Sequence, residues 1–196
     1  MNPKLRAISK SKKAEITVIR HGATAHEKTK MGGWEDEGLG KEGREEAEEA
    51  ARKVKGLDGL VTSDLERALE TAKIISKRSG VPILKTDKAL RSWNMGEYTG
   101  KDPKEIEPIL DDLEKKHRDT PTPGGESFNE YKRRFLKGIM RLEKEYAGKR
   151  IGIVTHSHGT RMLRAWDTKG RPSDLSLDEK EYQAKPMPNG GVDEIS

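Results

Sequence analysis

At 196 residues, with 31% hydrophobic and 37% charged side chains, the chain has apolar material for one domain core and too little for two full ones. No apolar run approaches the roughly 18 residues of a membrane span. With no cysteine there is no disulfide framework, no thiolate nucleophile and no cysteine-bound zinc, which fits a cytoplasmic protein.

The formal charge of +5 is carried at one end: Lys4, Arg6, Lys10, Lys12 and Lys13 fall in residues 1–13 with no acidic residue among them. Taking these five from the 39 basic residues leaves 34 against 34 acidic ones. A near-neutral body speaks against a nucleic-acid partner and against a membrane surface. Residues 1–13 read as a disordered basic leader without the apolar core of a secretory signal, and 14–196 as a single domain.

The stretch "EITVIRHGAT" opens that domain. Ile16, Val18 and Ile19 form a buried strand that Gly22 breaks, leaving Arg20 and His21 at its end. Ala47, Ala50, Ala51 and Val54 follow at helical spacing. Leu60 and Val61 mark a second strand. Ser63 with Glu66 has the pattern of a capping box for a helix whose face is Leu65, Ala68, Leu69, Ala72 and Ile75, stopped by Gly80. "VPILKT" is a further strand. Residues 101–124 are a polar insertion with a short helix and a Pro-rich turn, in the position of a lid. Ser127 and Glu130 cap an amphipathic helix with a stripe of Phe128, Tyr131, Phe135, Ile139, Leu142 and Tyr146. "RIGIVTH" is a buried strand running into His156, Ser157, His158 and Gly159, and "NGGVDEIS" supplies a last edge strand.

Strands alternating with helices predict an α/β fold, a three-layer sandwich around a mostly parallel central sheet, with ligands at the carboxyl ends of the strands. Arg20, His21, Arg67 and His156 all fall at such ends. Two arginines beside one histidine oppose its protonation and keep it nucleophilic, and they trap a dianionic phosphoryl group. Gly22 permits close approach of backbone N–H groups. The pattern therefore has Arg20 holding a phosphoryl group that His21 attacks.

These residues stand in a familiar order. "RHGAT" (20–24), "MGGWEDEGLGKEGREEA" (31–47), "TSDLERALETA" (62–72), "PGGESF" (123–128), "VTHSHGTRML" (154–163) and "PNGGV" (188–192) together resemble the histidine phosphatase superfamily, also called the phosphoglycerate-mutase-like family. The resemblance implies a phosphoglycerate-mutase-like fold and a phosphatase that needs neither metal nor other cofactor. It implies phosphohistidine at His21, phosphoryl binding by Arg20, Arg67, Thr24 and His156, and Ser157 in the place of a usual glycine. The expected partner is a small phosphorylated metabolite.

Two places depart from the family pattern. In "HSHG", His156 is taken as the family's second histidine because it directly follows the strand run "IGIVT" and Arg161 lies five residues later, and His158 as a neighbour at the helix start. In "LRSWNMGEYTG" the family's acidic proton donor falls at Ser92, and serine is no acid near neutral pH. Glu97 and Glu126 are the candidate replacements. Competing readings are a phosphoglycerate-mutase-type phosphomutase, a phosphoryl-binding module with little turnover, and a metal hydrolase using "HSH" with His21, His26 or His117. In the insertion, Lys101, Lys104, Lys115 and Lys116 alternate with acidic residues as on a solvated helix face.

Overall fold

The computed structural model describes residues 13–195; the expected basic leader, apart from Lys13, lies outside them. Five strands form one sheet in the order β3-β2-β4-β1-β5: β1 (Glu15–Arg20), β2 (Gly59–Thr62), β3 (Ile83–Thr86), β4 (Arg150–Thr155) and β5 (Val192–Ile195). The first four run parallel. The tail strand β5 adds antiparallel to β1, with Ile16 opposite Ile195. Continuous apolar runs in β1, β2 and β4 are what a parallel sheet covered on both faces requires.

The pleat sorts those runs into two cores. On one face Ile19, Leu60 and Val154 meet the alanine-rich sides of α1 (Lys41–Lys53) and α2 (Glu66–Ser79), through Ala50, Ala51, Ala68, Ala72 and Ile75. On the other, Val18, Val61 and Ile153 meet α4 (Phe128–Glu145) and α5 (Ser157–Thr168), through Phe135, Ile139, Met162 and Trp166. The result is the three-layer sandwich expected from the strand–helix alternation. A short helix, α6 (Glu179–Tyr182), follows α5.

Local signals explain most boundaries. Ser127 Oγ accepts from Glu130 N–H (3.2 Å) while Glu130 Oε2 accepts from Ser127 N–H (2.8 Å), a complete capping box at the start of α4. The box expected at Ser63 and Glu66 does not form. Leu65 occupies the N-cap of α2 without a side-chain bond, because the helix begins at Glu66 itself. Ser63 Oγ accepts from Leu65 N–H instead (3.3 Å), in a turn ahead of the helix. The insertion folds as α3 (Pro103–Lys115), capped by Asp102 with Pro103 at its first position. Its Ile106, Leu110 and Glu114 are buried.

Candidate active site

Parallel order brings the carboxyl ends of β2, β4 and β1 side by side, and every loop that leaves them opens on the same edge. His21 N–H donates to Thr155 O (3.0 Å), carrying the β1–β4 ladder one residue past the strand. The chain then turns onto α1. A Cβ at Gly22 would stand 2.1 Å from Gly43 O, and one at Gly43 2.0 Å from Ala23 O, so both contacts require glycine. The Gly22 N–H, expected to face a phosphoryl group, is donated to Thr71 Oγ1 (3.1 Å). Its backbone approach is to α1.

A cleft of about 210 Å³ opens over this edge, lined by Arg20, His21, Thr24, Arg67, His156, Ser157 and His158, with Ser92 on the same wall. His21 is buried. Its Nδ1 lies 2.7 Å from Gly22 O, which accepts only from a protonated Nδ1. Nε2 is then the unprotonated nitrogen. Burial, then the Arg67 guanidinium, and more weakly Arg20, hold this imidazole well below its usual pKa, against the opposing Gly22 bond. It is a neutral ring with a free lone pair.

The two arginines are held differently. Arg20 donates to Met187 O (2.7 Å) and to Glu27 Oε1 (2.5 Å), and Glu27 Oε2 accepts from Asn189 Nδ2 (2.9 Å). Its Nε is buried with no partner among the described residues. Arg67 sits in the first turn of α2, where its Nη1 and Nη2 donate to Glu35 O and Gly33 O (2.8 Å each). Burial lowers it to about 10, partly opposed by Glu27 and Glu37.

His156 caps α5 from the end of β4 and meets His21 edge-on, ring centres 5.0 Å apart. Its Nδ1 accepts from Arg67 Nε (3.2 Å), so the ring proton is on Nε2, 3.0 Å from Ser63 Oγ. Burial, then Arg67, keeps it neutral as well. His158 lines the cleft two residues on. It packs edge-on against Trp93 and stands 3.7 Å from the buried Glu114 carboxylate of α3. Burial, then Arg161 and Arg20, push it down to about 3. The "HSH" histidines thus face different partners, while His26 pairs with Glu37 and His117 with Asp112 at the surface. Among the described residues no three His, Cys, Asp or Glu side chains are grouped to hold a metal.

Neither carboxylate proposed for the missing acid reaches the cleft wall. Glu97 is exposed in the short turn after Met95. Glu126 is clamped by Arg134 (2.6 and 3.2 Å) and accepts from Asn94 N–H (2.9 Å). Arg134 also donates to Ser92 O (3.0 Å), as does Trp34 Nε1 (2.8 Å), so this pair fixes the loop that carries Ser92. The carboxylates that do line the cleft are Glu27, Glu37 and Glu107. Sequence reasoning passed over them. Only for Glu27 was there a signal, a carboxylate one short loop beyond Arg20.

Residues 16–178 match the model of the histidine phosphatase superfamily, branch 1. Phosphoglycerate mutase-like protein 4 of Arabidopsis thaliana is 32% identical over 169 residues, covering 82% of this chain and 72% of the relative. The phosphatase PhoE of Bacillus subtilis is 28% identical over 160 residues, covering 80% and 79%. Among solved structures, YhfR of Bacillus stearothermophilus superposes with a TM-score of 0.75 at 28% identity over 91% of this chain and 89% of its own. A mycobacterial glucosyl-3-phosphoglycerate phosphatase complexed with VO3 superposes at 0.71, with 25% identity over 91% and 90%. Six blocks legible in the sequence, the sheet order and these matches agree: the chain belongs to the histidine phosphatase superfamily.

Proposed function

We propose that the protein is a metal-independent phosphomonoesterase that works through phosphohistidine on His21. One observation carries the reading: the Nδ1 proton is committed to Gly22 O, which leaves Nε2 as a buried lone pair between two guanidinium groups. Arg20 and Arg67 take the non-bridging oxygens, and the orphaned Arg20 Nε is a donor awaiting one. Thr24, Ser157 and the positive end of α5 add donors around the same group.

The Nε2 lone pair attacks phosphorus, a P–N bond forms, and the P–O bond breaks with its electron pair leaving on the departing oxygen. Water then attacks the phosphoenzyme, the P–N pair returns to Nε2, and orthophosphate departs. For His156 to donate from Nδ1 as charge develops, Arg67 Nε turns to the phosphoryl group and Ser63 Oγ–H donates to Nε2; the 3.0 Å contact serves either direction.

Relatives include mutases as well as phosphatases. Hydrolysis is preferred because, besides Arg20 and Arg67, Lys30 is the one lysine or arginine on the cleft wall among the described residues. A mutase must retain a second phosphoryl group and exclude water. The test is rapid quench with 32P-labelled 4-nitrophenyl phosphate in the presence of chelator. Acid-labile, base-stable label in the wild type and none in His21→Ala is expected. Turnover that survives His21→Ala in a folded sample overturns the reading.

A further inference from the structure

Resting on that reading, we infer that the site serves phosphoryl groups whose leaving group departs without a proton, and specifically phenolic phosphate monoesters. The first half follows from where protons can be found around the cleft. Ser92 stands on the wall at the family's acid position, its loop fixed by Trp34 and Arg134. Its hydroxyl does not ionise near neutral pH.

Three of the nearby carboxylates are otherwise employed. Glu27 gives one oxygen to Arg20 and the other to Asn189. Glu37 accepts from His26 (2.7 Å). Burial works to raise its pKa, but the hydrogen bonds from His26 and Thr24 outweigh that and hold it ionised. Glu126 belongs to Arg134. The three imidazoles of the cleft all lie in surroundings that keep them neutral. Glu107 remains, exposed at the rim on α3.

The second half follows from the walls. The outer cleft is faced by Met31, Met95 and Pro103. Met31 is locked to the insertion by backbone bonds in both directions, its N–H to Lys101 O (2.8 Å) and its O from Gly100 N–H (2.7 Å), so this face is preformed. Two thioethers and a pyrrolidine suit the edge of an aromatic ring. A leaving group with its own phosphate or carboxylate would meet Glu27, Glu37 and Glu107 with Lys30 as the compensating cation. A phenolate is apolar in body and, with the phenol pKa at about 10, a far weaker base than an alkoxide, so it leaves more readily without a proton.

A Brønsted series tests the inference: kcat/KM for ring-substituted phenyl phosphates, with glycerol phosphate and pyrophosphate as further arms. A steep fall with leaving-group pKa, and glycerol phosphate and pyrophosphate both far below phenyl phosphate, is expected. A flat series, comparable turnover of glycerol phosphate, or preference for pyrophosphate overturns it. A flat series that steepens in Glu107→Gln overturns it in favour of Glu107 as acid. Ser92→Glu restores the family's carboxyl and should raise glycerol phosphate turnover about 10²- to 10⁴-fold, the usual contribution of a general acid. Label on His21 separates the two levels of argument. Label from phenyl phosphate but not glycerol phosphate supports the inference, equal label from both overturns it alone, and label from neither overturns the phosphohistidine reading beneath it.

Discussion

His158 should make the protein sensitive to mild acid, by an amount the structure allows to be worked out. In the folded chain this imidazole is pushed from 6.5 down to about 3, by burial and then by Arg161 and Arg20. In the unfolded chain it titrates normally. As pH falls through 6.5 the unfolded state takes up a proton that the folded state refuses, so stability present at neutral pH is lost on the acid side. Between pH 7 and pH 5 the loss is about 2 kcal/mol, from 1.36 kcal/mol per pH unit over the window below 6.5. Only 20% of the side chain is exposed, so solvent screening takes little from this figure. For a chain of this size it corresponds to about 4–8 °C in Tm. Glu114 acts the other way: burial raises its carboxyl, so it gains stability as acid protonates it. That contribution is common to wild type and His158→Gln, which is why the difference between them is the quantity to measure. Urea denaturation at pH 7, 6 and 5 should show the wild type losing about 2 kcal/mol more than His158→Gln. Parallel pH dependences would refute the account of His158 as a buried neutral ring.

Two further substitutions probe the frame of the site. Gly22→Ala places a methyl 2.1 Å from the Gly43 carbonyl, backbone against backbone, and should cost about 1–3 kcal/mol with a lowered Tm in calorimetry; an unchanged melting curve would mean the loop does not lie on α1. Glu126→Gln weakens the charge-assisted clamp on Arg134 by about 1.5–3 kcal/mol. Because it acts through the Ser92 loop, turnover of aryl and alkyl phosphates should fall by the same factor, and a loss confined to alkyl substrates would make Glu126 the acid after all.

The residues that were legible in the sequence share one property: their meaning is local. Ser127 and Glu130 are three positions apart and find each other through the helix they start. Arg20 ends β1, His21 and His156 directly follow β1 and β4, and Arg67 lies in the first turn of the helix after β2, so parallel order brings them to one edge. Ser63 misled because its hydroxyl chose Leu65 N–H and His156 over the helix end, and β4 supplies the histidine from 93 residues away. The charged helix of the insertion was half legible. Lys115 with Asp111 and Lys116 with Asp112 form the solvated i,i+4 pairs expected of it. Yet Glu114 continues the Ile106–Leu110 stripe inward to Arg161, Tyr182 and Gln183, which lie 47, 68 and 69 residues further on. Nothing near Glu114 in the chain announces those partners.

In the mechanism proposed above the two guanidinium groups would hold a phosphoryl group in different ways, and the reason is what surrounds each beforehand. Arg20 is already paired with the Glu27 carboxylate, so part of the attraction it offers a dianion is offset by repulsion from Glu27. Arg67 has its two terminal nitrogens on main-chain carbonyls, which satisfy N–H groups but carry no net charge. Its burial carries a penalty, and its pKa of about 10 records it. A phosphoryl dianion bound there would offset that penalty by direct attraction. In the proposed mechanism Arg67, which Glu27 and Glu37 reach only through space, would add charge at the site, while Arg20, anchored by Glu27 and Met187 O, would fix the direction from which a phosphoryl group meets His21 Nε2. The same arrangement keeps the imidazole neutral, because the potential that draws in the dianion also repels the proton.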